Sequence, residues 1–332
     1  MKVSVKLWAD MPEEQIKELF LKNPFPLYRG TPLANRLMNE YMFFLAKESA
    51  SINSNNALVV LVNDNPVGTG QVYPIPYLSE YWGFPIGGLG HIVMDDSSNE
   101  VSRQAAEALV AALIDTARQD GMAFCSTSVP GQSITLAHAL EKNGFLYAEG
   151  FLNMVGSTNY FRDQFKVQGL KIREPTKSDF FEIEDAYSKV SFPSRFITDG
   201  GFDPNKAKEL YVHRFKEVYE LKIGKVFVAE LEGRFAGAII AIIDKKMEKA
   251  IGVKTNVLSG MGIIIHPRAV RKGISMALIE YRQDFYKSQG VKYVNFGANF
   301  NNKPMILGLD KLGLKYGSLD MTFHCWLKGK KE

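Results

Sequence analysis

The chain opens on an alternation, with Val3, Val5 and Leu7 apolar between polar neighbours, and this predicts a short strand with one buried face. A polar stretch with Asp10 follows. It predicts a helix start, because an Asp carboxylate accepts from the open amides of a first turn. Two apolar, β-branched runs, 57–62 and 67–73, flank Asn63-Asp64-Asn65-Pro66 and predict a hairpin. A third strand is expected at His91–Met94. After it a helix is expected over Ala105–Gln119, where alanines and leucines fall at helical spacing before Gly121. A strand at Ala123–Val129, a short helix up to Gly144 and a final strand complete the series.

The same series is then written again. Leu170 and Ile172 alternate, and Asp179 stands where Asp10 stood. Val226–Leu231 turns through Glu232-Gly233-Arg234 into Phe235–Ile243. A strand is expected at Met261–Ile265, a helix over Ile274–Ser288 stopped by Gly290, a strand at Lys292–Gly297, a short helix up to Gly313 and a last strand. Asp10, Gly68, Gly121 and Gly144 map onto Asp179, Gly237, Gly290 and Gly313 at a single offset of 169 residues, with no gap. Solenoid repeats run at roughly 20–50 residues, so a period this long predicts a duplicated domain. Domains are expected at 1–160 and 161–332, joined near Tyr160–Leu170. Each is of the α/β (α+β) class, a mixed and mainly antiparallel sheet flanked by helices. Two segments break the symmetry: 72–84, rich in Pro, Tyr and Trp, and 191–219.

Composition agrees with two globular halves: 332 residues, 46% hydrophobic and 23% charged. The net charge of +4 conceals an asymmetry. Residues 1–165 carry 11 Lys and Arg against 17 Asp and Glu, whereas residues 166–332 carry 29 against 19. A basic second half suits an anionic ligand or surface, and equally suits lysine-rich solvated helix faces. Cys125 and Cys325 stand alone, without CxxC spacing or a nearby His set. They are expected to be small buried residues in a reducing compartment, with no metal bound. The first residues form no apolar run of signal-peptide length and no stretch reaches a membrane span, so a cytoplasmic protein without membrane insertion is expected.

The copies differ at one place that bears on chemistry. Arg271-Lys272-Gly273-Ile274-Ser275 is a basic, glycine-bearing turn into a helix, where the first copy reads Ser102-Arg103-Gln104-Ala105-Ala106. First-turn amides and the helix dipole favour an anion, and glycine lets backbone approach it closely. Ile263-Ile264-Ile265-His266-Pro267 leads into this turn, and Asn302 precedes Gly313. Together these residues resemble the GNAT acyltransferase superfamily, closely over 170–327 and, through the repeat, weakly over 1–155.

The resemblance implies acyl-CoA as co-substrate, acetyl-CoA or a longer ester. Ile263, Ile264 and Ile265 would pair with pantetheine. Val270, Arg271, Lys272, Gly273, Ile274 and Ser275 would cradle the pyrophosphate, and Asn302 would contact the cofactor near its thiol. Val270 replaces the usual Gln or Arg, and Leu309 stands where many relatives place a proton-donating Tyr. Ser194-Arg195-Phe196, the aromatics Tyr211 and Phe215, and His324-Cys325-Trp326-Leu327 are similar to the dTDP-fucosamine acetyltransferase group. That likeness implies transfer to the amine of a nucleotide-linked, dTDP-type amino-deoxysugar used in lipopolysaccharide or capsule synthesis, with Arg195 on an acceptor phosphate. His324 is the candidate base, against a structural histidine. Tyr81 and Trp82 are candidates to stack on the acceptor, against a satellite core. The expected partners are small molecules rather than nucleic acid, with a monomer or homodimer. Two other readings stay open: a tRNA-dependent aminoacyl transferase of the peptidoglycan-bridge type, and a non-catalytic module.

Overall fold

The computed structural model describes residues 1–33, 35–94, 99–159, 165–256 and 262–327. In chain order the first half gives β1 (Val3–Leu7), α1 (Glu13–Leu21), α2 (Asn35–Ile52), β2 (Ala57–Val62), β3 (Asn65–Pro74), α3 (Pro76–Trp82), β4 (Ile86–Met94), α4 (Glu100–Gln119), β5 (Phe124–Pro130), α5 (Ile134–Lys142) and β6 (Leu146–Ser157). The second gives β7 (Leu170–Arg173), α6 (Asp179–Lys189), α7 (Arg195–Thr198), α8 (Pro204–Glu220), β8 (Lys225–Leu231), β9 (Arg234–Ala241), α9 (Lys245–Ile251), β10 (Ile263–Ile265), α10 (Ile274–Ser288), β11 (Tyr293–Asn299), α11 (Lys303–Lys311) and β12 (Lys315–Trp326).

The chain forms two compact units whose boundary is not the expected one near residue 160. One comprises Met1–Gly150 with Ser318–Glu332, the other Phe151–Gly317. The closing strand of each half has been traded. β12 pairs antiparallel with β5 from Asp320↔Pro130 to Trp326↔Phe124, and β6 pairs antiparallel with β11 from Phe151↔Asn299 to Ser157↔Tyr293. The expected linker lies partly outside the described residues.

In the first unit β1, β2, β3 and β4 form an antiparallel run. β4 then pairs parallel with β5 only over Ile86–Gly88. Helix α4 turns Leu109, Val110, Leu113 and Ala117 into a core with Leu58, Val72, Leu89 and Phe323. Trp8, Ile16, Phe20 and Phe43 form a smaller cluster. In the second unit β7, β8, β9 and β10 form an antiparallel sheet with β10 at its edge. Its side chains alternate between two cores. Phe227, Ala229 and Ile239 pack with α10, and Val226, Val228, Ala238 and Ile264 pack with α6 and α8.

The repeat has structural counterparts. Gly121 and Gly290, like Gly144 and Gly313, take positive φ just past a helix end. The parallel contact Ile86↔Phe124 of the first unit recurs as the bridge Thr255↔Tyr293 in the second. Asp10 departs from the expectation, lying in a 3-10 turn (Trp8–Asp10) while Pro12 precedes α1. Asp179 is the first residue of α6, and its carboxylate binds Arg173 and Thr176. The third strand of the first half begins at Ile86, earlier than expected. In the second half it begins at Ile263, and Met261 lies outside the described residues.

Candidate functional site

β10 is bonded to β9 along one side, with Ile263↔Ile239, Ile264↔Ala238 and Ile265↔Gly237. The bonds Ile240 N–H to Gly262 O (2.7 Å) and His266 N–H to Ala236 O (3.0 Å) fix the alternation of this ladder. Ile264 therefore turns its backbone N–H and C=O toward β9, while Ile263 and Ile265 turn theirs to the other edge. No strand among the described residues occupies that edge. Beside it, the Asn256 carboxamide closes the margin of β11, donating to Asn295 O and accepting from Asn295 N–H, each at 2.8 Å. The result is a wedge with hydrogen-bonding groups on an open side.

Beyond β10 the chain makes a 3-10 turn (Pro267–Ala269) and reaches α10 through Val270, Arg271, Lys272 and Gly273. Gly273 holds φ +79° at the helix N-cap, without a side-chain cap. Gly273, Ile274 and Ser275 donate their N–H groups to no described partner, and no acidic residue lies in the first turn. Val270 is exposed, so its apolar side chain adds nothing to anion binding. Open amides, the positive end of the helix dipole, Arg271 and Lys272 make this turn fit an anion such as pyrophosphate.

The corresponding helix of the first unit is built the other way. Helix α4 starts at Glu100, about a turn ahead of the position facing Gly273 across the offset, so Gln104 lies inside a helix rather than at its mouth. The Asn99 side chain accepts from Ser102 N–H at 2.8 Å, and Glu100 places a carboxylate in the first turn. Both features oppose an incoming phosphate.

The turn in the second unit is braced from below. His266 is buried, and its Nδ1 accepts from Arg268 N–H at 3.2 Å. That bond requires Nδ1 to be unprotonated, so Nε2–H donates to Asp185 at 3.0 Å. Arg268 donates to Phe235 O at 3.1 and 2.8 Å and pairs with Glu182 at 2.9 Å. Glu182, Asp185 and His266 come close enough together to share a cation. Their lone pairs already serve Arg268, Lys189 and the imidazole proton. Sequence reasoning missed this brace, because Asp185 and Glu182 lie a whole subdomain away from His266 in the chain.

The remaining expected residues have these settings. Asn302 caps α11, its Oδ1 accepting from Met305 N–H at 3.3 Å, which leaves the amide nitrogen for a ligand. Leu309 is buried among Ile274, Leu278 and Leu312. Ser194 is buried and caps α7, its Oγ accepting from Phe196 N–H (3.3 Å) and from Tyr211 OH (2.7 Å). Phe196 is buried against Phe202, and Arg195 lies over its ring at 4.8 Å. Trp82 is buried, with Tyr81 edge-on at 5.4 Å. His324 is 3% exposed, sits opposite Ser126 and meets Phe124 edge-on at 4.9 Å, within the first unit. The loop and open strand are in the second.

Residues 195–313 match the acetyltransferase (GNAT) family. The whole chain is similar in fold to a GCN5-related N-acetyltransferase from Sphaerobacter thermophilus, at TM-score 0.58 and 12% identity over 99% of this chain and 97% of that one. It is also similar to a tandem GNAT protein from the clavulanic acid biosynthesis pathway, at TM-score 0.55 and 12% identity over the full length of both. A glucosamine N-acetyltransferase region of a fungal multi-domain β-N-acetylglucosaminidase aligns at TM-score 0.58 and 13% identity, over 97% of this chain and 38% of that one. No curated protein matches the chain. No helix among the described residues is long and apolar enough to cross a membrane.

Proposed function

We propose that this chain is an acyl-CoA-dependent acyltransferase, as the GNAT match over residues 195–313 supports, that it holds acyl-CoA on its second unit alone and that it transfers the acyl group to an amine. The observation that carries this reading is the continuity of the open edge of β10 with the uncapped, basic turn before α10. The pyrophosphate would rest on the amides of Gly273, Ile274 and Ser275, with Arg271 and Lys272 beside it. Pantetheine would bond to the outward backbone groups of Ile263 and Ile265, and Asn302 would offer its amide nitrogen. An outward strand N–H also serves as donor to the thioester oxygen as charge develops there.

The neutral amine attacks the thioester carbon, forming C–N while C–S breaks. The ammonium proton passes to water, since the His324 ring is 3% exposed. A thiol of pKa near 8.5 leaves as thiolate without a proton donor, which fits an apolar Leu309.

For the acceptor, the dTDP-type amino sugar remains the finer expectation. Of its proposed contacts, Ser194 caps α7 and Phe196 packs in the core, while Arg195 supplies the charge proposed to meet a phosphate. Calorimetric titration of the full chain with acetyl-CoA tests the reading. Saturable binding at one site supports it, and no binding of any CoA ester overturns it.

A further inference from the structure

Across the repeat, Leu113 and Ile114 of α4 correspond to Arg282 and Gln283 of α10, each pair the same distance before its helix-ending glycine. In the first unit both residues are core, 0% and 3% exposed. In the second, Arg282 is 8% and Gln283 1% exposed, so polar side chains occupy core positions of the same fold. Neighbouring positions keep their character: Leu109 and Val110 correspond to Leu278 and Ile279, all buried.

Arg282 is a buried cation with no anion beside it among the described residues. Its Nη1 donates to Ile240 O at 3.2 Å, its Nε has no partner, and its guanidinium lies 3.9 Å over the Phe296 ring. No carboxylate among the described residues pairs with it. Neither end of the Gln283 carboxamide has a hydrogen-bond partner among the described residues. Leaving a charge buried and unpaired is costly, and exchanging a core leucine for it brings no packing gain. The guanidinium also has a telling position. Nη1 lies 3.9 Å from where a Cβ on Gly262 would stand, beside the residue that leads directly into open-edged Ile263.

We propose that Arg282 is an anion-binding residue of the acyl-transfer site and takes a substrate carboxylate. This rests on the reading that acyl-CoA lies along β10. The carboxylate has two possible sources, the far end of a dicarboxylic acyl group or the amine acceptor itself. A planar carboxylate suits a guanidinium that already has one nitrogen on a carbonyl and one face on an aromatic ring.

The test uses the full chain and two arms. In the donor arm, succinyl-CoA and acetyl-CoA are titrated calorimetrically. In the acceptor arm, with CoA present, amino acids are compared with their amides by thermal shift. At least a tenfold preference for the carboxylate form is expected in one arm, and the arm that shows it names the source. The preference is expected to disappear in Arg282→Gln. Arg282→Leu, which copies the first unit, keeps the test decisive if Arg282→Gln does not fold. CoA binding with parity in both arms overturns this inference alone, as does a preference that survives both substitutions. Tighter binding of thymidine diphosphate than of any carboxylate likewise overturns it. Failure of CoA itself to bind overturns the underlying reading, and this one with it.

Discussion

Cys125 and Cys325 stand directly opposite each other across β5 and β12, so one cysteine from each half of the sequence meets the other in a single ladder. Both are buried and free. Burial, followed by the neighbouring Cys325, pushes the Cys125 thiol up to about 12, against a lowering backbone bond from Gly87. Burial also raises Cys325. Thiolate is the reactive form, and these groups hold almost none near neutrality. Neither should react with Ellman's reagent in the native protein at mildly alkaline pH, and both should react in denaturant. Rapid native labelling of Cys325 would show β12 parting from β5.

Gly273→Gln should weaken CoA binding sharply while leaving the fold intact. A side chain at φ +79° costs about 1–2 kcal/mol, tolerable for a domain, but it crowds the turn where the anion rests. A fall of roughly 100-fold in CoA affinity, about 2.8 kcal/mol, is expected. Asn99→Ala removes the cap of α4 and should cost about 1 kcal/mol in denaturant melts. That variant should bind CoA normally, and if it does not, the first unit shares the cofactor.

Asp179 should govern acid stability of the second unit. Burial alone would raise its pKa, but bonds from Arg173 (2.8 and 3.0 Å) and Thr176 (2.6 Å to the backbone N–H) outweigh this and hold it below 3.8. A depressed carboxyl stabilises the fold above its unfolded value, and that contribution is lost as pH falls through the folded one. Asp179→Asn should therefore cost about 2–3 kcal/mol at neutral pH. The difference from wild type should shrink in the acid limb below about pH 4. An unchanged acid limb would remove Asp179 from this role.

Neither half of the sequence should fold alone. Residues 1–160 lack the strand that pairs with β5, and residues 161–332 lack the strand that pairs with β11. Each fragment should show broad, weakly cooperative melting, and mixing the two should restore a sharp transition. Cooperative melting of either fragment by itself would show that the traded strand is dispensable.

Much of this architecture was legible because turns announce themselves locally. The hairpin tips are an example: Asn63 and Asp64, and again Glu232 and Gly233, take consecutive positive φ values, as a tight hairpin turn requires. The start of β4 was not legible. Ile86-Gly87-Gly88-Leu89-Gly90 reads as loop, yet glycine is needed there because the Tyr73 ring fills the space where side chains on Gly88 and Gly90 would stand. The traded strands were hidden for a different reason. A strand's alternation says which face is buried, and carries nothing about which neighbour it will join. The uncapped turn before α10 was readable from Gly273, which takes φ +79° at the N-cap. Arg282 escaped notice because a charged residue on a helix ordinarily means a solvated face, and only burial reveals otherwise.

The exchange of closing strands also orders events in time. Synthesis runs from the amino end, so β5 leaves the ribosome long before β12 is made. The first unit must wait with an open ladder beside Phe124–Pro130 until almost the whole chain has emerged. The amino-terminal unit, although made first, cannot be finished first. The second unit, Phe151–Gly317, needs no later residue and can close before it, and β5 stays open to mispairing until β12 arrives.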